Sequence, residues 1–303
     1  MAKEVHLSKL LSSEEMSKVG WMEALRTLFN SIIVSTLSYG CQAFVNMTKK
    51  QENEMELAYK EILYRMLRIS KYTQYAAVLL ECNMMRMKHI MNQLKICFLR
   101  NLIHDKGEGI CLEVLTEEER LLPGSGLISE VRKLCEKYGI ADVSKEAVSV
   151  EFIKDKIWQA GRAEVWKETL SNSRLPKTMN HLRHPKEYMK LSRYQSKLFF
   201  AYRVGDLQLK DFRRGEFSKK FGNSKCFMGC SQPDRLSHVM TCDGYPLDLR
   251  FNLSDFDYDP ENQKKFIEYL MKLDAFRGKY CMLPLLYRGS LRAAAERKLG
   301  IKI

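Results

Sequence analysis

Apolar residues recur every three or four positions along most of this chain, and this spacing constrains the fold more than any other feature. It is clearest between residues 51 and 69, at Met55, Ala58, Ile62, Met66 and Ile69. Residues so spaced share one face of an α-helix. The pattern predicts further helices over 14–34, 76–103, 144–170 and 187–204, with Ser144 as the N-cap of the third. No strand-like alternation or internal repeat competes with it, so the predicted fold is mainly α.

Two polar breaks rich in glycine or proline, at 104–127 and 171–185, suggest how the helices are grouped. The sequence predicts a thumb-like helical bundle over 1–104, a linker over 105–127 and a helical connector over 128–203. A basic zinc-knuckle module follows over 204–250, and a helical tail over 251–303. In the tail, Asp259 suits an N-cap and Pro260 the first helical turn.

Composition limits the class of protein. The 303 residues are 45% hydrophobic, which allows a buried core and argues against disorder. The chain contains neither an apolar run long enough to cross a membrane nor a secretory signal at its start. Its nine cysteines are odd in number and mostly scattered, unlike a disulfide scaffold. We therefore expect a protein of the nucleus or cytoplasm that does not enter the membrane.

The most specific local signal is a cluster of three cysteines and one histidine. Cys226 and Cys230 are separated by three residues, His238 follows after seven more, and Cys242 after another three. Two close pairs joined by a short loop can supply the four tetrahedral ligands that zinc prefers. Gly229 suits a tight turn beside the metal. The alternative is that these cysteines are ordinary small hydrophobic residues, and the spacing favours zinc over it.

The positive charge is concentrated just before this cluster. The net charge is +13, and between residues 186 and 225 eleven lysines and arginines face four acidic residues. Such an excess predicts a polyanionic partner, RNA or DNA rather than a membrane or a small molecule. Aromatic residues lie among these cations, and for Phe199, Phe200 and Tyr202 core packing is favoured over base stacking. The predicted phosphate-contacting residues are Lys186, Lys190, Arg193, Lys197, Arg203, Lys210, Arg213, Arg214, Lys219, Lys220 and Lys225.

Several segments, taken in order, resemble the C-terminal part of non-LTR retrotransposon reverse transcriptases. They are an apolar run ending in Leu37, Tyr39, Gly40 and Phe44; the helix end Tyr64–Arg68; Leu79–Glu81 before a methionine-rich helix; and Phe199–Gly205 ahead of the cysteine cluster. Each motif alone is weak, but their order and distances fit, over about 21–250. Residues 105–185 resemble nothing comparable.

The resemblance implies a helical thumb-like region and a zinc knuckle that bind template RNA and target DNA. It also implies that Trp21–Phe44 packs against a polymerase core. The family's catalytic loop carries adjacent aspartates that hold two metal ions, and this chain has no Asp-Asp pair. In the family, the palm domain precedes the segment that corresponds to Tyr39-Gly40. In this sequence too few residues precede that segment to form a palm. We therefore expect a truncated polyprotein fragment without polymerase or endonuclease activity.

Two rival hypotheses stay open at the sequence level. The first is a stand-alone zinc-stabilised protein that binds nucleic acid. The second is a helical protein-interaction module with a structural zinc. Salt-dependent binding to single-stranded RNA distinguishes the nucleic-acid hypotheses from the interaction module.

Overall fold

The structure is a computed structural model that describes residues 21–104, 109–121, 123–144, 148–170, 191–207, 209, 225–251, 260–280 and 285. This part of the chain is mainly α-helical, as the apolar spacing predicts. Its helices are α1 (Trp21–Leu28), α2 (Ser35–Ser38), α3 (Lys49–Leu67), α4 (Tyr75–Glu81), α5 (Met87–His104), α6 (Gly109–Leu121), α7 (Leu127–Tyr138), α8 (Val150–Leu170), α9 (Arg193–Arg203), α10 (Leu236–Val239) and α11 (Pro260–Tyr280). The last helix begins at Pro260, as predicted, whereas Asp259 lies outside the described residues.

The helix predicted over 76–103 is two helices, α4 and α5. Asn83 adopts a left-handed conformation at φ 53° just after α4. The N–H of Met84 donates to the carbonyl of Leu79 at 2.9 Å, and the N–H of Asn83 donates to that of Leu80 at 3.1 Å. This is the bonding of a Schellman helix end, in which asparagine tolerates the left-handed conformation better than most residues. Because the apolar residues keep their helical spacing across this end, the sequence pattern does not reveal the break between the two helices.

The predicted N-cap Ser144 is wrong, since the third predicted helix starts at Val150. The Ser149 hydroxyl accepts a hydrogen bond from the N–H of Phe152 at 3.0 Å, which is the bond an N-cap makes. Ser144 instead donates its own N–H to the Asp142 carboxylate at 3.0 Å, in a turn before the helix. Both Ser144 and Ser149 are residues that can cap a helix, and the sequence alone does not show which of them does so.

The contacts divide the chain into two compact units. One comprises Thr27–Leu63 and Tyr75–Ser171, and the other Met1–Arg26, Tyr64–Gln74 and Asn172–Ile303. Each unit combines segments that are distant in sequence. The predicted division into five consecutive segments stays a prediction, although α6 is a helix within the predicted linker.

In the first of these units, α5, α7 and α8 pack around one apolar core. The core is formed by Ile96, Leu99, Leu127, Val131, Cys135, Tyr138, Ile140, Val143, Val148, Ile153 and Ile157. Helix α4 is buried along its whole length and packs against α8. Burial of each large aliphatic side chain contributes about 1.5–3 kcal/mol. This core therefore holds the unit together.

In the second unit, α9 packs against α11 around aromatic rings. Phe199, Phe200 and Tyr202 are buried, which confirms the prediction that they belong to the core. The Tyr202 ring meets the Phe266 ring of α11 edge-on, at 4.7 Å between centroids. The Phe251 ring lies 5.4 Å from the Phe266 ring. Because Phe251 directly follows the cysteine cluster region, this packing places the cluster beside α11.

Candidate metal centre

The cysteine cluster begins with a tight turn. The Cys226 N–H donates to the carbonyl of Gln232 at 2.9 Å, next to an isolated antiparallel bridge between Lys225 and Pro233. Within the turn, the Met228 N–H points to the Cys226 sulfur at 3.4 Å. Gly229 has φ +83°, a conformation that side chains disfavour, so the turn needs glycine here as predicted. The first ligand pair is thereby set by backbone bonds.

The second pair comes from helix α10 and the turn after it. His238 lies on α10, and the N–H of Thr241 donates to its carbonyl at 3.0 Å, which closes the helix just ahead of Cys242. The Tyr245 N–H then donates to the Cys242 carbonyl at 3.1 Å. A Cβ on Gly244 would lie 2.6 Å from Cβ of Met228, so the two turns approach as closely as they do because residue 244 is glycine.

These turns bring the four predicted ligands together. Cys226 Sγ and Cys242 Sγ are 3.9 Å apart, Cys230 Sγ and Cys242 Sγ 3.8 Å, and Cys230 Sγ and His238 Nε2 2.9 Å. All four ligand atoms lie within 4.8 Å of one another, slightly wider than the roughly 4 Å expected from zinc bonds of about 2.0–2.3 Å. The cluster could therefore hold a metal ion, and it is the one group of this kind within the described residues.

The thiols of the cluster differ in how readily they lose the protons that a bound metal would replace. Burial, and after it the neighbouring sulfurs of Cys230 and Cys242, raise the pKa of the Cys226 thiol to about 12. Burial works against the Cys230 thiolate too, but hydrogen bonds from the Gln232 backbone and from Cys226 and Cys242 lower its pKa. Metal binding must therefore displace at least the Cys226 proton, because only thiolates ligate.

A buried ion pair fixes the loop between the two ligand pairs. Arg277 of α11 makes two bonds to the Asp234 carboxylate, at 3.0 and 3.1 Å, and both side chains are 0% exposed. Its guanidinium also donates to the Tyr245 hydroxyl at 3.2 Å and lies 4.9 Å from the centre of the Phe227 ring. Sequence reasoning missed Arg277, which stands 35 positions after Cys242 in a segment predicted as a tail.

The predicted phosphate-contacting residues are only partly described. Arg193 and Lys225 are exposed, and Lys197 is half-buried. Arg203 is 7% exposed, with its guanidinium 6.0 Å from the centre of the Phe199 ring, so its place fits a structural role better than phosphate contact. The others lie outside the described residues: Lys186, Lys190, Lys210, Arg213, Arg214, Lys219 and Lys220.

The segment predicted to meet a polymerase core is covered unevenly. A π-helical turn, Phe29–Val34, joins α1 to α2, and the Phe29 ring is buried edge-on against Tyr59 at 5.1 Å. Tyr39 is 86% and Phe44 47% exposed. Other apolar residues of this segment are half-buried, namely Leu28, Ile32, Ile33 and Leu37.

Comparison of this chain with known protein families, curated proteins and solved structures finds no match. No family model matches the sequence, and neither a curated protein nor a solved structure matches it. None of the helices in the described part of the chain combines the length and apolarity needed to cross a bilayer. The resemblance to reverse transcriptases thus stays a prediction that depends on the sequence motifs.

Proposed function

We propose that this chain binds nucleic acid through a basic region beside one structural zinc ion, as a relative of the C-terminal part of non-LTR retrotransposon reverse transcriptases. The observation that carries the proposal is the convergence of Cys226, Cys230, His238 and Cys242 at the end of the most basic stretch of the sequence. We expect no polymerase activity from the chain and a location in the nucleus or cytoplasm.

The donor set fits zinc better than other common metals. Three thiolates and one imidazole are soft or borderline ligands, whereas magnesium and calcium prefer oxygen. Four protein ligands complete the tetrahedral shell of zinc, as in structural sites, and leave no position open for a substrate. Bound zinc would cross-link the turn at Cys226–Cys230 to helix α10 and the turn at Cys242. What it supplies is folding energy rather than catalysis.

The charge supports a nucleic-acid partner. Each lysine or arginine that neutralises a phosphate releases a counterion, so binding weakens linearly on a double-logarithmic plot against salt. Such contacts fix the position of the nucleic acid without reading its sequence. We therefore expect similar affinities for unrelated sequences of the same length.

The test is fluorescence anisotropy of labelled single-stranded RNA and duplex DNA over a range of potassium chloride concentrations. Changing Arg213, Arg214, Lys219 and Lys220 together to alanine should flatten the salt slope by roughly three, since each phosphate contact contributes about 0.7–0.9. The matched control removes the same charge from exposed lysines elsewhere, with alanine at Lys49, Lys50, Lys154 and Lys272. Binding that ignores salt, or equal slopes for the two variants, would contradict the proposal.

A protein-interaction module is the second candidate, and the exposed aromatic residues Tyr39 and Phe44 favour it. Large exposed rings next to half-buried aliphatic residues are typical of surfaces that a partner covers. This candidate predicts that RNA fails to bind at physiological salt. The anisotropy experiment therefore distinguishes the two.

A further inference from the structure

One stretch of this highly charged chain carries no charge at all. Between Arg26 and Lys49 stand 22 residues without a lysine, arginine, aspartate, glutamate or histidine, although 29% of the chain is charged. No other uncharged run in the sequence exceeds nine residues. Uncharged, apolar residues are usually found in a core or on a surface that a partner covers. The exposure of this stretch decides between the two.

The structure exposes the helical part of this run. Phe29 is buried, and the next buried residue along the helix is Ser38. A helix that packs along a core buries a residue about every third or fourth position, yet every residue of 30–37 is at least partly exposed. The π-helical turn and α2 therefore do not fully bury an apolar face within the chain. Their partly exposed apolar residues are Ile32, Ile33, Val34 and Leu37.

The serine and threonine hydroxyls among these residues bond to the helix itself. The Ser35 Oγ donates to the Ser31 carbonyl at 2.5 Å. The Thr36 Oγ1 donates to the Ile32 carbonyl at 2.5 Å, and the Ser31 Oγ donates to the preceding turn at 3.3 Å. Hydroxyls that donate within the helix leave fewer donors for water or for a polar partner. The surface therefore presents mainly methyl and methylene groups.

The loop that directly follows α2 adds two exposed aromatic rings. Tyr39 is 86% and Phe44 47% exposed. Gly40 turns the chain between them at φ +70°, and the Phe44 N–H donates to the Cys41 carbonyl at 3.1 Å. The Phe44 carbonyl accepts from Lys95 Nζ at 2.5 Å, and that lysine is 2% exposed. Because the loop backbone is already fixed, covering the rings requires little further ordering, which favours association.

Charge limits the kind of partner that fits this surface. The net charge is +13, so two copies of the chain repel each other over most of their surface. In a two-fold symmetric dimer a surface meets its own copy, and a charged patch would then meet a patch of its own sign. The uncharged run is where this chain can meet itself without that repulsion. An acidic or basic partner would find no opposite charge among these residues.

We infer that residues 28–44 form the contact between two copies of this chain. The copies are related by a two-fold axis, and the π-helical turn and α2 of one pack against those of the other, with Tyr39 and Phe44 covered in the dimer. This goes beyond the proposed function, because neither zinc nor nucleic acid takes part in the contact. A standard interface uses about 20–30 residues from each partner, so this surface of 17 residues should give a weak dimer with a micromolar dissociation constant.

Sedimentation velocity of the full, nuclease-treated chain measures this contact. The wild-type chain should change from monomer to dimer between about 1 and about 200 µM. The test variant carries Tyr39→Ser and Phe44→Ser, and its dissociation constant should rise about tenfold or more, since aromatic rings dominate the energetics of interfaces. The control variant carries Leu121→Ser and Phe152→Ser. These changes remove exposed apolar side chains of the same unit outside the surface, and should leave the constant unchanged.

A charge exchange at Ser35 tests whether the surface meets its own copy. This residue is exposed, and lysine and glutamate are both good helix formers, so the fold should persist. Ser35→Lys and Ser35→Glu should each weaken self-association, because like charges then face each other across the two-fold axis. An equimolar mixture of the two variants should associate again, because opposite charges meet in the mixed dimer. Mixing would not restore a contact with a different protein or a nonspecific apolar association.

Salt dependence distinguishes this contact from the binding of nucleic acid. Potassium chloride screens the repulsion between two positively charged copies, so the dimer should tighten severalfold between about 50 and about 500 mM salt. RNA binding should weaken over the same range. Two chains bridged by a residual RNA would therefore show the opposite trend.

The outcomes separate this inference from the proposed function. A chain that stays monomeric at the highest concentration but binds RNA overturns only this inference. A chain that dimerises in high salt without binding RNA overturns only the proposed function. The two-fold contact is also contradicted by association beyond two copies, by an unchanged constant in the variant of Tyr39 and Phe44, or by a mixture of the Ser35 variants that fails to associate.

Discussion

His89 is a buried polar side chain whose hydrogen bonds are all made. It is 2% exposed, its Nδ1 lies 2.8 Å from the Tyr138 hydroxyl, and its Nε2 lies 3.1 Å from Glu164. We assign a neutral ring that donates to Glu164 and accepts from Tyr138, whose oxygen accepts from the Asn92 amide at 2.9 Å. A Cβ on Gly161 of α8 would lie 3.2 Å from the ring, so glycine allows the helix to approach.

This arrangement predicts acid sensitivity. Burial lowers the pKa of His89 below its ordinary 6.5, and the opposing effect of Glu164 is smaller. Because the folded pKa lies below the unfolded one, the unfolded chain gains the proton first as the pH falls. The stabilising contribution is complete above about pH 6.5 and is lost as the pH falls through the folded pKa. We expect the urea unfolding free energy to decrease from about pH 7.5 to about pH 5.5.

A substitution tests the assignment. His89→Gln should lower stability by about 1–3 kcal/mol at neutral pH, since it leaves buried partners poorly satisfied, and should flatten the pH dependence. His104→Gln is the control, because His104 is half-buried and its ring bonds a backbone carbonyl, that of Val143, at 3.0 Å. An unchanged pH dependence in His89→Gln would contradict the assignment.

The role of a residue could be predicted from the sequence where its partners are close in the sequence. It could not be predicted where the role depends on burial against distant segments. The four candidate metal ligands were found because they lie close together in the sequence, as two pairs joined by one short loop. The buried environment of His89 could not be predicted, because its partners come from α7 and α8, far along the chain. Arg203 was placed among phosphate contacts because composition does not show which cation packs inside.

At the scale of elements, α11 and the metal loop are joined by the Arg277–Asp234 pair. Removing one partner of a buried ion pair leaves a buried charge uncompensated and typically costs about 3–5 kcal/mol. We expect Arg277→Leu to destabilise the chain by about that amount in urea unfolding with zinc present, and to weaken metal binding as well. The double variant Asp234→Asn with Arg277→Leu should cost less than the sum of the single changes, because the two side chains interact directly.

Arg250 provides a matched control within the same module. It pairs with Asp243 at 3.1 Å, but the Asp243 side chain is 93% exposed. Exposed ion pairs contribute about 0–1 kcal/mol, so Arg250→Leu should change stability by no more than that. Equal effects of Arg277→Leu and Arg250→Leu would show that burial does not matter here.

Helix existence was predicted better than helix ends. The stretch predicted over 51–69 is α3, and Pro260 begins α11, because a regular apolar face and a proline are strong local signals. The ends at Asn83 and Arg68 were not predicted, since each depends on one left-handed residue. An arginine in that conformation carries no sequence signature. It becomes visible only through the backbone bonds that close the helix.

At the scale of the whole molecule, the segment around α1 and α2 was expected to need a polymerase core. The segment is neither fully covered by the chain nor left fully exposed for a partner, because Leu28, Ile32 and Leu37 are half-buried. The chain thus covers part of this surface itself, which a count of apolar residues could not reveal. The expected partner stays a prediction, and Tyr39 and Phe44 are the side chains that it would cover.

The division into two compact units limits where removal of a bound metal should affect the chain. The metal loop and α11 belong to one unit, and α5 and α8 to the other. If the proposed zinc is bound, its removal would release the thiolates and the cross-link of the loop, so Asp234 would be held less firmly against Arg277. We therefore expect hydrogen exchange to quicken in 225–251 and 260–280 after chelation, while α5 and α8 keep their protection.

Two cysteine variants of equal chemistry make this test specific. Cys226→Ser should abolish a metal content of about one zinc per chain and reproduce the exchange pattern of the chelated protein. Cys97→Ser, at a half-buried cysteine in the other unit, should retain the metal and the protection of α11. Uniform loss of protection after chelation would mean that zinc stabilises the whole chain, and no loss at all would mean that the Arg277–Asp234 pair holds the loop without it. Only loss confined to the unit of the metal loop agrees with a structural zinc that acts through its neighbouring helix.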